Sequence, residues 1–297
     1  MLKTLRQTLF ALMCWAAALP ALADDPASPQ AAEMEAAATA AKAAQVPGPK
    51  AIALGDQAVL NLPAGYAYIP AAEAARLMRA MGNHAGEGFH GLVVGDELEG
   101  FVTIRFDRAG YVKDDDARDW NADELLENLK EGTEAGNEER RTRGIPEFVV
   151  TGWVEKPSYD AATRRLVWSA ALRDKNPTAG RDADGVNYNT YQLGREGYMS
   201  MNLVTDLAAV EQQKPHARQL LAGLEFNQGK RYADFDSSTD QVAAYGLAAL
   251  VGGVAAKKLG LLATLGIFLA KFWKIGALAV VGVGAGARKF FRKKETT

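Results

Sequence analysis

Three consecutive aspartates are the residues whose type and spacing most directly suggest chemistry. Asp114, Asp115 and Asp116 stand within the stretch "GYVKDDDARDW". Carboxylate oxygens bind Ca²⁺ and Mg²⁺, and neighbouring carboxylates can shift each other's pKa for hydrolysis. Adjacent side chains point in different directions, however, and negative charge just before a helix stabilises the start of that helix. The sequence therefore favours a structural role, with a divalent-metal-dependent enzyme centred on these residues as the alternative.

A second polar cluster follows in the stretch "NYNTYQLGREG". Asn187, Asn189, Tyr191 and Arg195 alternate as they would on one face of a β-strand. Amide, phenol and guanidinium groups on one face can bind a polar ligand or a peptide through directed hydrogen bonds. The same side chains could instead form a hydrogen-bond network inside the fold. These four are the candidate ligand-binding residues.

The sequence assigns no catalytic residue and no cofactor beyond the divalent cation considered above. His84 and His90 lie in one Gly-rich stretch, but a third zinc ligand is missing nearby, and three histidines in all do not predict a Ser-His-Asp arrangement. Its single cysteine, Cys14, lies in the first 23 residues. We therefore expect binding without bond-breaking chemistry.

Residues 1–23 are typical of a secretory signal. Lys3 and Arg6 precede an apolar run, and Ala21-Leu22-Ala23 supplies the small residues of a cleavage site. A cleaved signal would remove Cys14, so the mature chain would have no thiol chemistry. We expect the main domain to lie in the periplasm.

Residues 239–291 predict a membrane anchor. They contain three charge-free apolar runs, each shorter than the roughly 20 residues of a spanning helix. Lysines between the runs can extend their charged ends to the bilayer surface, so one or three crossings are both possible. The basic tail at 292–297 should stay on the cytoplasmic side of the bacterial inner membrane.

Charge segregates along the chain. Residues 24–239 hold 23 basic and 34 acidic residues, a net charge of −11, whereas residues 240–297 hold nine basic and two acidic residues. Nucleic-acid binding requires Lys and Arg to neutralise phosphates. An acidic exported domain is therefore not expected to bind nucleic acid, and the partners that we expect are the membrane and a periplasmic or membrane protein.

The remaining sequence predicts one α+β domain at 51–238 after an Ala- and Pro-rich linker at 24–50. Short strand-like runs separated by Gly, Pro and Asp turns predict an antiparallel sheet flanked by helices. A helix is expected from Asn121, which has Glu three residues later as in a capping box. Another is expected around Pro215, which should bend or break it.

Several spaced motifs resemble a known bacterial family. They are "GYVKDDDARDWNADELL", "GW", "P-x-Y-D-x-x-T-x-x-L-x-W", "NYNT-x-x-LGREG", "AAYGLAALVGG" and "KKLGLLA". In this order they resemble the domain of unknown function numbered twenty-one sixty-seven, a family of predicted membrane-anchored proteins. The resemblance covers nearly everything after residue 50. It implies an exported domain with a C-terminal anchor, and it implies no activity.

A looser likeness concerns the fold alone. The stretch "LLAGLEFNQGKRYADF" is similar to the closing helix and strand of PsbP/Mog1-type folds. Fold does not give function. The function that we expect is an interaction module for a protein, peptide or small polar ligand, with the metal enzyme or a membrane-complex subunit acting through its C-terminal helices as alternatives.

Overall fold

The computed structural model describes residues 29–81, 83, 85–142, 147–175 and 185–252. These residues form an α+β fold with two antiparallel sheets, as the alternating strand patterns predict. The larger sheet has eight strands and the smaller has three.

The elements follow the turn and capping signals of the sequence. The strands are β1 (Val46–Pro47), β2 (Lys50–Leu54), β3 (Ala58–Leu62), β4 (Tyr66–Pro70), β5 (Phe89–Gly95), β6 (Phe101–Asp107), β7 (Phe148–Asp160), β8 (Arg165–Asp174), β9 (Gly185–Leu193), β10 (Tyr198–Asp206) and β11 (Leu224–Phe226). The helices are α1 (Pro29–Ala43), α2 (Ala71–Ala80), α3 (Ala122–Thr142), α4 (Val210–Ala222) and α5 (Ala249–Gly252). The strands of the larger sheet lie in the order β1-β4-β5-β6-β10-β9-β8-β7, and those of the smaller sheet in the order β11-β3-β2.

Helix α3 begins where the capping signal predicts. The Asn121 side-chain oxygen accepts a hydrogen bond from the backbone N–H of Asp123 at 2.9 Å. This bond satisfies one of the free donors at the helix start. Helix α4 runs without interruption past Pro215, so the predicted break does not occur.

The two faces of the large sheet carry different layers. One face packs against α4 and the small sheet, and residues such as Met199, Met201 and Leu203 of β10 belong to this core. The opposite face carries two separate apolar clusters. One lies with α1 and α2 at the β4–β6 side, and the other with α3 and α5 at the β7–β9 side. The strands between those clusters, β6, β9 and β10, carry buried polar residues on this face.

Residues 29–50 differ from the expected linker, because α1 packs against α2. Ala37 and Ala41 of α1 are buried, and Glu33 forms a paired contact with Arg76 of α2 at 2.8 and 2.9 Å. An Ala-rich helix has too little apolar surface for a core of its own. Its small side chains do allow a close approach to another helix, and this contact is what orders the segment.

The C-terminal end of the folded part also differs from the expected boundary at 238. Residues up to Gly252 belong to the domain, and Leu247, Leu250 and Val251 are buried in the cluster beside α3. The signal at 1–23, the anchor beyond residue 252 and the tail at 292–297 lie outside the described residues. Within the described part of the chain, no helix has the length and apolarity needed to cross a membrane.

Candidate functional site

Asp114 is bound by three side chains from distant parts of the chain. Its carboxylate accepts hydrogen bonds from the hydroxyls of Tyr159 at 2.7 Å and Tyr232 at 3.0 Å, and it pairs with the guanidinium of Arg164. Burial by itself would raise the pKa of Asp114. The two hydroxyl donors and the Arg164 charge outweigh burial, so the pKa lies below its usual value. These residues, with Asp116, are called the aspartate cluster below.

Arg164 reaches Asp114 from the turn between β7 and β8. Its backbone has a φ of 58°, in the left-handed region that non-glycine residues seldom adopt. Its guanidinium lies 4.7 Å from the centre of the Tyr232 ring. Tyr232 stacks on Tyr111 with ring centres 4.3 Å apart, and Tyr111 stacks on Phe235 at 3.9 Å. The aromatic stack holds the turn in place over the aspartates.

Asp116 is bound by backbone N–H groups, whereas Asp114 is bound by side chains. Its two oxygens accept hydrogen bonds from the backbone N–H groups of Leu247 and Ala248, at 3.1 and 3.0 Å. A Cβ at Gly246 would collide with the Asp116 carboxylate, so glycine is what permits this close approach. Asp115, between the two, is exposed. The three carboxylates therefore do not converge on one point.

The segment 241–252 makes further hydrogen bonds with the rest of the domain besides those to Asp116. Tyr111 exchanges backbone hydrogen bonds with Gln241 and Ala243 at 2.8 and 2.9 Å. The indole N–H of Trp168 donates to the carbonyl of Leu250 at 3.1 Å. Among the residues that the structure describes, no group of three or more His, Cys, Asp or Glu side chains is placed to hold a metal ion. The structure thus brings the aspartates together with the C-terminal segment of the domain.

Arg195 also belongs to this region and not to the predicted ligand face. It lies beyond the end of β9 and forms a paired contact with Asp240 at 2.6 and 2.8 Å. Asp240 itself accepts the backbone N–H of Asp236 at 2.8 Å. The other three predicted ligand residues, Asn187, Asn189 and Tyr191, do share one face of β9, the face that carries α3.

The sheet extends that face with polar residues from neighbouring strands. Asn202 of β10 is directly opposite both Asn189 of β9 and Thr103 of β6. Directly opposite residues point to the same side of a sheet. Five buried residues therefore form one polar strip, called the amide strip below: Thr103, Asn187, Asn189, Ser200 and Asn202.

Three of these five residues were not predicted. Thr103, Ser200 and Asn202 each stand in a strand whose other neighbours on the chain are apolar, in the stretches "VTIRF" and "YMSMNL". The alternation gave a usable signal, because a polar residue at every second position marks one face. What the sequence lacked was the strand order that places β6 and β10 beside β9.

Two amide oxygens in the strip accept no hydrogen bond from any residue that the structure describes. They are the Oδ1 atoms of Asn189 and Asn202, whose residues are 1% and 5% exposed. The orientation of the Asn189 amide is fixed, because its Nδ2 donates to the backbone carbonyl of Asn187 at 3.1 Å. A buried acceptor without a donor costs about 1–3 kcal/mol. The strip therefore contains acceptors that lack donors.

A small cavity lies between α3 and this part of the sheet. It encloses about 10 Å³, which is close to the least space that holds one water molecule. Its wall is mostly apolar, and Asn187 and Asn189 are its polar members. The lining residues are Leu129, Val150, Trp168, Ala170, Leu172, Asn187 and Asn189.

An acidic residue lies beyond one end of the strip. Asp107 of β6 is opposite Tyr198 of β10, two positions along from Ser200. Burial raises the pKa of the Asp107 carboxyl, and the Arg105 charge and the Tyr198 hydroxyl offset only part of that rise. Asp107 in turn contributes to the raised pKa of Tyr245 in the C-terminal segment. Charge is thus present near the strip but not within it.

A family model described as "Protein of unknown function (DUF2167)" matches residues 46–282. The chain belongs to the DUF2167 family. This confirms the resemblance seen in the spaced motifs. In this DUF2167 protein the motifs "KDDD" and "P-x-Y-D-x-x-T" meet in the aspartate cluster, since Asp114 binds Tyr159 and the turn that ends at Arg164.

Comparison with known proteins adds little to the family assignment. No curated protein matches this DUF2167 chain. A solved structure, the solution structure of cyanobacterial PsbP (CyanoP) from Synechocystis sp. PCC 6803, is similar with a TM-score of 0.35 and 10% identity. The similarity covers 62% of this chain and 91% of that one. It is weak, and nothing about function follows from it.

Proposed function

We propose that this DUF2167 protein is an extracytoplasmic binding module for a protein, peptide or small polar ligand. In this proposal it is held at the bacterial inner membrane by the apolar residues after Gly252. The amide strip is its recognition element, and the domain performs no bond-breaking reaction.

The proposal rests on a contrast between the aspartates and the amide strip in how many hydrogen bonds their oxygens accept from the rest of the domain. Asp114 and Asp116 are held by internal donors, so their lone pairs already have partners. Asn189 and Asn202 keep buried acceptors without donors. Binding sites place a few polar groups in mostly apolar surroundings, where a ligand can complete their hydrogen bonds.

The docking of residues 241–252 supports the membrane part of the proposal. Gly252 is buried in the domain, and the residues after it are apolar and basic in sequence. A domain connected in this way would sit at the bilayer without a free tether. Such placement suits a module that presents its binding site to partners at the membrane surface.

A metal-dependent enzyme is the weaker candidate, because no described residue adds a ligand to the aspartates. The membrane-complex subunit stays a prediction, since its C-terminal helices fall on residues outside those described.

Cysteine labelling in intact cells tests the location. A mature chain without Cys14 has no native thiol, so Asp115→Cys places a single reactive thiol on an exposed residue of the domain. We expect a membrane-impermeant maleimide to label this variant in cells whose outer membrane alone has been permeabilised. Thr297→Cys is the matched control and should be labelled only after full lysis. Labelling of Asp115→Cys only after full lysis would refute the proposed location.

A further inference from the structure

An open cleft lies along the first half of α3, on the surface of the domain. Its volume is about 620 Å³, which is enough space for a short peptide segment. The described residues that line it all belong to α3, and this surface is called the acidic face below. They are Asp123, Glu124, Leu126, Glu127 and Asn128.

The acidic face carries more negative charge than its basic neighbours neutralise. Glu127 pairs with Lys130 at 2.8 Å, and Asp123 lies 3.9 Å from Lys156. All four side chains are largely exposed, and exposed ion pairs are weak. Glu124 pairs with no basic side chain in the described part of the chain. Carboxylates of this face are therefore available to a basic partner.

The start of the helix explains only part of this charge. Asp123 and Glu124 lie in the first turn of α3, where carboxylates stabilise the positive end of a helix. Glu127 lies one turn further, where that effect has faded. Leu126 adds a partly exposed apolar side chain to the same cleft. The acidic face thus suits a partner that combines an apolar contact with positive charge.

The chain itself continues with such a segment. Helix α5 packs against α3, and Leu250 and Val251 belong to the apolar cluster that the two helices share. After Gly252 the sequence reads Gly-Val-Ala-Ala-Lys-Lys, so four uncharged residues precede Lys257 and Lys258. These lysines are the first basic residues after Arg231. An apolar stretch followed by two positive charges matches the composition of the acidic face.

The connection keeps the lysines close to α3. Lys257 follows Gly252 by five residues, which span at most about 18 Å when extended and about 8 Å in a helix. The part of α3 that lines the cleft is itself about 8 Å long. A short tether gives the lysines a high effective concentration at the carboxylates. Ion pairs that are weak between separate molecules can therefore form here.

A second copy of the domain is a less suitable occupant. Residues 24–239 have a net charge of −11, so the acidic face of one domain would meet a second acidic domain. Like charges on two approaching surfaces repel each other. A basic segment that is already attached beside the cleft meets no such repulsion.

We propose that residues 253–258 dock on the acidic face of α3, where Lys257 and Lys258 pair with its carboxylates. The docked segment fixes the orientation of the domain relative to the apolar residues that follow Lys258. The proposal does not rest on the amide strip, nor on which side of a membrane the domain lies.

Cysteine crosslinking of the full chain in phospholipid nanodiscs tests the proposal, with Cys14→Ser as the background. Glu127→Cys is combined with Ala256→Cys and treated with a short bis-maleimide. We expect a product linked within one molecule, identified by mass spectrometry of the joined peptides. Glu138→Cys with Ala256→Cys is the matched control. Glu138 is exposed on the same side of α3, about 16 Å further along the helix, and should react several-fold more slowly.

Charge reversal distinguishes ion pairing from simple proximity. In the Glu127→Cys/Ala256→Cys chain, changing both Lys257 and Lys258 to Glu should slow the formation of the linked product. We expect a decrease of about fivefold, the change that two exposed ion pairs support. Changing Asp123 and Glu124 to Lys in the same chain should restore the rate, because the charges are then exchanged.

Three outcomes would overturn the proposal. They are equal rates for Glu127→Cys and Glu138→Cys, a rate that does not respond to reversal of the two lysines, or crosslinks only between molecules. The last result would assign the acidic face to a second copy. Circular dichroism checks that each variant folds. If the charge-exchanged chain does not fold, the lysine reversal still decides, since it leaves residues 29–252 unchanged apart from the Glu127→Cys probe.

Discussion

The aspartate cluster and the amide strip are two polar regions of one domain, and they differ in how many of their polar atoms have hydrogen-bond partners. In the cluster, Asp114 and Asp116 together accept five hydrogen bonds or ion-pair contacts from internal donors. In the strip, the Oδ1 atoms of Asn189 and Asn202 accept no hydrogen bond from the described part of the chain. The more chemically suggestive residues stabilise the fold, and the less conspicuous ones have unused acceptors.

The difference has a physical cause. A carboxylate that is partly buried must be paired, because an unpaired charge costs far more than an unpaired amide. Charged residues are therefore drawn into networks that close the fold. A neutral amide left without a donor costs only about 1–3 kcal/mol, which a domain can tolerate when a ligand later supplies the donor.

The largest expected effect is at Asp114. Asp114→Ala leaves the Tyr159 hydroxyl and Arg164 without this acceptor, whereas the Tyr232 hydroxyl keeps the carbonyl of Val112 at 3.0 Å. We expect the free energy of unfolding to fall by about 2–3 kcal/mol, reduced from the value for a fully buried pair because Arg164 is partly exposed. Chemical denaturation followed by circular dichroism measures this. Asp115→Ala is the control and should stay within about 0.5 kcal/mol of the wild type.

A smaller loss is expected at Asp116. Asp116→Ala removes the acceptor of the Ala248 N–H, whereas the N–H of Leu247 keeps the carbonyl of Lys113 at 3.1 Å. The expected loss is about 1 kcal/mol, as for a helix cap. Amide hydrogen exchange should become faster in residues 247–252. Unchanged exchange there would contradict the assigned role of Asp116 in holding the C-terminal segment.

The pH dependence of folding stability should distinguish the contribution of Asp107 from that of Asp114. The raised pKa of Asp107 favours the folded state at low pH, and this contribution is lost as the pH rises from about 4 through the raised value. The lowered pKa of Asp114 acts in the opposite direction, and its contribution is lost as the pH falls below about 4. Asp107→Asn should therefore flatten the decline of the melting temperature above pH 4. An identical decline in wild type and variant would rule out Asp107 as its source.

Much of the fold followed from the sequence, because its signals are local. The alternation in "FVTIRF", the Asn121 cap and the turn residues around Asp160 each fix one element. The role of α1 did not follow, since the sequence of an Ala-rich helix does not show what it packs against, which here is mainly α2. The end of the domain was misplaced at 238 for a related reason: apolar residues of 247–251 fit a protein core as well as a bilayer.

The candidate site was only half predictable. Asn187, Asn189 and Tyr191 share a face because they alternate on one strand, which the sequence displays directly. Asn202 joins them through strand pairing between β9 and β10, and Thr103 joins through β6, which is distant in the chain. Arg195 was grouped with them by spacing, but the chain turns after Leu193 and takes it to Asp240.

The most direct test of the comparison is the stability of Asn189→Leu without ligand. Removing an unpartnered buried acceptor in favour of an apolar group of similar size should leave the unfolding free energy unchanged or raise it, by up to about 1 kcal/mol. Asp114→Ala measured alongside should lower it. If Asn189→Leu proves as destabilising as Asp114→Ala, the amide holds the fold together and the distinction between the two regions is wrong.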